Sequence, residues 1–470
     1  MFIRDLEINN FRIFPFSEQS PFQLRGLRLP TGENGSGLNI FVGENGTGKT
    51  SILDAISMCF TEYKGDAINI SDFNCPDKVL TVRVLADKTF TYSGVMPKST
   101  YRGKGFLFFS KTRDKNTNHL SSTLVHDLIV IKADGELKPE KNSPDLRVSV
   151  KNPWKGNRFS NTELIYIEKN RNYSIKAGTF NDTKFDRIME DLNRQVVQKN
   201  TPVSPLNEEF LRLKQNLDCQ ILGNAIKKFK ECTEIPLELK LVDSRKPFTQ
   251  SFLARTTAEQ LSLPLSKMGS GFEMMFSLVY SLADLENKDK EIIILIDEPE
   301  MHLHPKLQEK FVQILFELTA KAQVFITTHS PLLLKQIFQY TAPNTHILKC
   351  SSGEPINIDK SLLTLPYVSA NEINYLAFDL PTEEYFNELY GHLLEHFNIS
   401  YARELEKKLQ EFNVPLEKEW IDARNNKKEK CSQIHYIRNY IHHPENNLNA
   451  PYSSQELEEN IEKIRSILTR

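Results

Sequence analysis

One short segment constrains this chain more than any other. Gly43-Glu44-Asn45-Gly46-Thr47-Gly48-Lys49-Thr50 follows a β-branched and aromatic run, Leu38-Asn39-Ile40-Phe41-Val42, and opens into a stretch where Ile52, Ala55, Ile56 and Cys59 recur at helical spacing. The pattern predicts a strand that turns through a glycine-rich loop into a helix, and the loop matches G-x-x-x-x-G-K-[ST] in full. Its glycines let backbone N–H groups curl around a β-phosphate, and the helix N-terminus adds positive potential. Lys49 reaches β/γ oxygens and Thr50 holds Mg²⁺. Gly43, Asn45, Gly46, Thr47, Gly48, Lys49, Thr50 and Ser51 are the candidate nucleotide-binding residues.

A phosphate cradle alone does not specify hydrolysis. In Ile292-Ile293-Ile294-Leu295-Ile296-Asp297-Glu298 a buried-strand pattern ends in two acids. Asp297 is placed to hold Mg²⁺ through water, and Glu298 to polarise the attacking water. Val324-Phe325-Ile326-Thr327-Thr328-His329-Ser330-Pro331 is a second buried strand that delivers a histidine at its carboxyl end, where His329 meets a γ-phosphate. Met268-Gly269-Ser270-Gly271-Phe272-Glu273 precedes an apolar helix. It reads either as another anion site, through Ser270, Gly271 and Glu273, or as an ordinary helix cap.

With 470 residues, 39% hydrophobic and 26% charged, the chain holds enough apolar sequence for a sizeable core. A net charge of −2 gives no whole-chain attraction for nucleic acid or acidic lipid, so any such attraction is local. Lys98, Arg102, Lys104, Lys111, Arg113 and Lys115, with only Asp114 against them, form one such patch. It is either a nucleic-acid or acidic-partner contact or a solvated loop. The scattered cysteines, the lack of a secretory leader and the absence of any membrane-length apolar run point to a soluble cytoplasmic protein with reduced thiols, no zinc site and no membrane contact.

Along the chain, residues 80–170 read as strand-rich and 182–200 and 204–231 as two helices too short for a coiled-coil arm. A helix from Pro305 to about Ala320, a strand from Ala322 to Thr327 and a helix after Pro331 continue an α/β pattern. Beyond about 365 the segments EYFNELYGHLLEHF, YARELEKKLQEF, KKEKCSQIHYIRNYI and SQELEENIEKIRSIL all read as helical.

Taken in order, IRDLEINNFRIF, GENGTGKTSILDAI, SKMGSGFE, IIILIDEPEMHLHP and TTHSP resemble the ABC-type ATPase heads of the SMC, RecF and OLD-like group. The resemblance implies an α/β P-loop head with a mixed sheet over 1–95 and 260–350, interrupted by a strand-rich and helical insert at 96–259 and followed by an α-helical C-terminal domain at 365–470. It also implies that two heads enclose ATP and Mg²⁺, with Ser270-Gly271 of one copy facing the nucleotide on Lys49 of the other, so a dimer or higher oligomer is expected. Glu273 stands where the signature usually has glutamine, and Asp72-Phe73-Asn74 occupies about the Q-loop region without its glutamine. The insert lacks SMC-length arms, and 351–470 lack the D-x-D cluster of a TOPRIM nuclease domain.

SANEINYLAFDLPTEEYFNELY and IRNYIHHPENN resemble the tails of ATPases from bacterial anti-phage operons, among them the PARIS, Septu and retron-associated groups. This implies an ATP-dependent sensor or scaffold that holds a toxic effector, a nuclease or toxin from the same operon, until a phage protein triggers release. Arg438 with His443 also fits the R-x4-H pattern of HEPN ribonucleases, and His442 shares a helix face with Arg438. That pair reads either as catalytic or as a structural cluster, and Pro444 places His443 at a helix end. A nucleotide-switched ribonuclease and a RecF-like DNA repair ATPase are the alternatives to the sensor reading.

Overall fold

The computed structural model describes residues 2–60, 72–75, 78, 80–95, 106–109, 119–133, 138–139, 146–147, 162–167, 221–240, 252–256, 262–264, 268–285, 291–340, 344–348, 356–358 and 362–469. They fall into two compact units, 1–329 with 343–356, and 330–342 with 357–470. Among the described residues no helix is long and apolar enough to cross a membrane.

The first unit is built on a parallel sheet. Leu38–Val42, Glu291–Asp297 and Ala322–Thr327 are largely apolar and buried along their length, as strands covered on both faces must be. Ala322–Thr327 stands between the other two and pairs with each in parallel. Thr162–Ile167 extends the sheet beyond Glu291–Asp297, and Asn344–Ile347 extends it beyond Leu38–Val42, again in parallel. Ile356–Ile358, where the chain passes to the second unit, ends the sheet. The register aligns Phe41, Thr327 and Asp297 across three strands, so the loops that follow them emerge side by side.

A second, antiparallel sheet runs Phe22–Leu24, Ile3–Asn9, Leu80–Val95, His119–Ala133, Phe106–Phe109. Ile3, Leu6 and Ile8 from one strand and Leu80, Val82 and Val84 from the next are fully buried. They share a core with Ile52, Leu53, Ala55 and Ile56 of the helix Lys49–Phe60 and with Phe41, Phe325, Ile293 and Leu295 of the parallel sheet. The phosphate-loop helix is thus packed between two sheets. Gln323, fully buried, links them by donating to Ile3 O at 2.6 Å and Arg28 O at 3.1 Å while accepting from Ile3 N at 2.7 Å. A polar side chain in that position is stable because its donor and acceptor atoms are paired.

The α/β class agrees with the sequence reading. The domain limits differ. The sequence sets 96–259 apart as an insert, yet Thr162–Ile167 is a strand of the central sheet, and Phe106–Phe109 and His119–Ala133 continue the antiparallel one. The helix Ile221–Thr233 packs on Ser270–Leu285, with Phe229 and Phe276 ring centroids 5.9 Å apart. Length and apolar alternation identify such strands but not the sheet they join. The six basic residues between Lys98 and Lys115, the helix expected at 182–200 and residues 204–220 lie outside the described residues.

In the second unit, the helices Ala370–Phe378, Glu383–His396, Ala402–Glu411, Gln433–His442 and Ser454–Leu468 enclose a core that includes Phe386, Leu389, Leu393, Leu409, Ile434, Ile437, Ile461 and Ile464. Four begin at a hydroxyl cap, from Ser369, Thr382, Ser432 and Ser453, the last in a reciprocal capping box with Glu456. The unit starts earlier than 365, because Pro331–Tyr340 belongs to it. The tail is also not all helical. Lys428–Cys431, expected to begin a helix, pairs antiparallel with Lys418–Ile421. The Ser432 side chain accepts from His435 N and fixes the helix start at Gln433, leaving the lysines before it free to extend. Inside the unit Glu372, wholly buried, accepts from Thr364 N at 2.6 Å and Tyr385 Oη at 3.1 Å and lies 3.4 Å from the Arg465 guanidinium.

Candidate nucleotide site

The loop after Leu38–Val42 is shaped by glycines in backbone conformations closed to most side chains. Gly43 has φ 140° and Gly48 φ 91°. A Cβ on Gly43 would stand 2.2 Å from Leu348 O, and one on Gly48 would stand 2.6 Å from Ile13 Cδ1 and 2.8 Å from the Phe14 ring. Gly46 also has positive φ and, like Asn45, is exposed on the loop, while Thr47 and Ser51 are buried. Lys49 is 5% exposed, and its Nζ donates to Gly43 O at 3.0 Å and Glu44 O at 2.7 Å. The ammonium is curled over the loop where phosphate oxygens would take the place of those carbonyls.

The acids come from the neighbouring strand ends. Thr50 Oγ1 donates to Asp297 Oδ1 and Oδ2, both at 3.1 Å, and Thr327 Oγ1 donates to Oδ1. Asp297 is 2% exposed; burial pushes its pKa up, the two hydroxyls oppose that, and the charges of Glu298 and Asp54 add to it. Its hydrogen-bond donors among the described residues are neutral hydroxyls. A buried carboxylate with a serine- or threonine-type hydroxyl beside it and a lysine in the adjoining loop is a donor set that suits Mg²⁺ carried by a triphosphate.

Glu298 follows in a left-handed conformation, φ 44° and ψ 64°, rare for a residue with a side chain. Its N–H donates to Thr327 O at 3.2 Å and Thr327 Oγ1 at 3.0 Å, which locks the two strand ends together. Its Oε1 lies 3.5 Å from His329 Nε2. The structure therefore brings Lys49, Thr50, Asp297, Glu298 and His329 to one edge of the sheet.

Sequence reasoning missed three parts of this edge. Glu300 Oε1 accepts from Thr328 Oγ1 at 2.8 Å and from His329 N at 2.7 Å. Thr327 contacts both Asp297 and Glu298. Arg12 pairs with Asp54 of the phosphate-loop helix and, at 2.9 Å, with Asp72, while Tyr166 Oη donates to Asp54 at 2.8 Å. Asp72, in the expected Q-loop region, is thus an ion-pair partner of the N-terminal segment. Glu300, the last acid of DEPE, and Thr327, the first threonine of TTHSP, were visible as residues, but pairing across strands sets their role.

Gly269, with φ 111°, precedes the helix Ser270–Leu285, in which Gly271 is buried. The side chains of Ser270 and Glu273 lie outside the described residues. In the second unit Arg438 Nη1 donates to Asn439 Oδ1 at 3.1 Å, and its guanidinium lies 5.9 Å from the Tyr390 ring centre. His443 follows the last helical residue, His442, and its Nδ1 is 3.4 Å from Glu445 Oε1. Among the described residues no hydrogen bond joins Arg438 to either histidine.

The AAA ATPase domain family matches residues 1–152 and 136–334. The chain belongs to that family. This ATPase-domain chain is 30% identical over 125 residues to endonuclease GajA of Bacillus cereus, an alignment covering 26% of the chain and 21% of GajA. It is 33% identical over 75 residues to the Septu protein PtuA of Bacillus thuringiensis, covering 14% of the chain and 19% of PtuA. To a retron Vc95 probable ATPase of Vibrio cholerae it is 23% identical over 358 residues, covering 63% of the chain and 66% of that protein. The chain spans about a fifth of the length of the first two relatives.

Proposed function

We propose that this chain binds and hydrolyses Mg-ATP, pairs with a second copy through its ATPase unit, and uses that cycle to hold and release a separate toxic effector in an anti-phage system. The observation that carries the catalytic part is the convergence of Lys49, Thr50, Asp297, Glu298 and His329 on one sheet edge. The Septu and retron relatives belong to two of the groups that the tail of the sequence resembles, which supports the anti-phage part.

Mg²⁺, once held there, would supply positive charge against the phosphates and the leaving oxygen. Thr50 and Asp297 hold its place, and Lys49 exchanges its loop carbonyls for β/γ oxygens. Glu298 takes the proton of the attacking water as the bond between the γ-phosphorus and the bridging oxygen breaks, releasing ADP and phosphate. His329 stands beside Glu298 and meets the γ-phosphoryl group. Ser270 and Gly271 begin a long helix whose N-terminus suits the phosphates of a nucleotide on the partner copy.

The test is turnover and mass. Purified protein is incubated with saturating ATP and magnesium, phosphate release is followed, and light scattering reports association. Hydrolysis with nucleotide-dependent pairing supports the reading; a monomer without turnover overturns it. Co-purification of an operon-neighbour nuclease or toxin, lost on ATP turnover, tests the effector part.

A further inference from the structure

The loop that carries His329 is not held by its own strand alone. One oxygen of Glu300, in the short helical turn Pro299–His302, accepts from the His329 backbone N–H at 2.7 Å and from the Thr328 hydroxyl at 2.8 Å. Glu298, between Asp297 and this turn, has left-handed backbone with φ 44° and ψ 64°. The other Glu300 oxygen is buried without a hydrogen-bond partner among the described residues. Burial pushes the Glu300 pKa up, the hydrogen bonds from His329 and Thr328 oppose that, and the charge of Glu298 adds to the rise.

We propose that Glu300 is a positioning residue for the ATPase step: it fixes the backbone of the Thr328–His329 turn so that the imidazole stands beside Glu298. This rests on the assignment of Glu298 and His329 given above. Glu300 itself is 28 and 29 residues from its two partners in sequence, so it ties the acid-bearing loop to the histidine-bearing loop as one piece. With the tie cut, the turn loses two of the hydrogen bonds that hold the histidine beside Glu298, while the phosphate loop keeps its grip on nucleotide. The signature is a loss in kcat with KM retained.

Glu300→Ala and Glu300→Gln are compared with the unaltered full chain in steady-state ATP turnover, with melting temperature as the check on folding. Gln keeps a carbonyl oxygen with two lone pairs for the same two donors. The expected result is a kcat about tenfold or more lower in Glu300→Ala, KM within about twofold, and Glu300→Gln within about threefold of the unaltered chain. Thr328→Val, which removes one donor and keeps the shape, is expected to lower kcat a few fold with KM unchanged, and it decides the matter should Glu300→Ala fail to fold. A normal kcat in Glu300→Ala, or in Thr328→Val if the alanine variant is unfolded, overturns the proposal. So does Glu300→Gln falling as far as Glu300→Ala, since that assigns the effect to charge. Absence of turnover in the unaltered chain is a different failure and strikes the ATPase reading instead.

Discussion

Thr50 and Asp297 are in hydrogen-bond contact, hydroxyl to carboxylate at 3.1 Å, although 247 residues separate them. The contact exists because Phe41, Thr327 and Asp297 share one register across the sheet, which brings the phosphate loop and the acid pair to the same edge. The candidate metal position is therefore brought together by strand register.

Asp297→Asn separates stability from catalysis. Burial raises the Asp297 pKa, so the folded chain holds this proton more tightly than the unfolded one. A raised acid favours folding most at low pH and loses that contribution as pH rises through its folded value. Asp297→Asn is expected to melt at or above the unaltered protein near pH 7.5, with the gap narrowing on acidification. Magnesium-dependent ATP turnover is expected to fall about 100-fold or more. Melting curves across pH and phosphate release check the two halves.

Lys49→Ala is expected to weaken ATP binding by about 100-fold, the equivalent of two lost charge-assisted hydrogen bonds at ~1.5 kcal/mol each. Titration calorimetry with a non-hydrolysable ATP analogue measures it. Fold should survive, since the Lys49 ammonium bonds carbonyls of its own loop.

Glu298→Gln is expected to keep ATP affinity and lose turnover by about 100-fold to 10,000-fold, the range a general base supplies. Stalled before hydrolysis, it is expected to accumulate as the nucleotide-joined pair, which size-exclusion chromatography with ATP and magnesium would detect. Turnover at the normal rate would remove Glu298 from its role.

Much of this edge was legible in the sequence because each piece has a local signature: a complete phosphate-loop pattern, a four-isoleucine-rich strand ending in Asp297-Glu298, and a buried strand ending at His329. Strand bounds were legible too, as at Ala322–Thr327, where a short apolar run is cut off by turn residues. Partnerships were not. Nothing local to Thr162–Ile167 says that it pairs with Glu291–Asp297, and nothing around Arg12 names Asp54 and Asp72 as its partners. The lysines of Lys428–Cys431 have good helix propensity, yet a serine cap and a facing strand outweighed it.

Two buried histidines set an acid limit on stability. His346 and His435 are each pushed down to about 4 from 6.5, by burial first, with Arg438 adding to the effect at His435. A depressed histidine contributes stability that is present above its unfolded pKa and lost as pH falls through the folded one. Unfolding near pH 5 is therefore expected to take up about one proton for each of them. His346→Leu should reduce that uptake by about one, read from the pH dependence of the urea midpoint.

The Glu372–Arg465 pair anchors the second unit, with the glutamate wholly buried and the arginine also donating to Tyr385 Oη at 2.6 Å and Leu362 O at 3.1 Å. Arg465→Ala leaves the carboxylate uncompensated and is expected to destabilise by about 3 kcal/mol. Glu372→Gln combined with Arg465→Met should recover much of that. Urea unfolding followed by Trp420 fluorescence, in a Trp154→Phe background, reports on this unit.

The position of Ala322–Thr327 between two parallel neighbours has a consequence for how the molecule breathes. A strand with no open edge exchanges its amide protons only when the sheet itself parts. In a deuterium-labelling time course Val324 to Thr327 would be among the slowest amides of the first unit, with or without ligand. The strand that ends two residues before the histidine is thus expected to part last, so any motion of His329 short of that belongs to the turn beyond Thr327 and to its side chain.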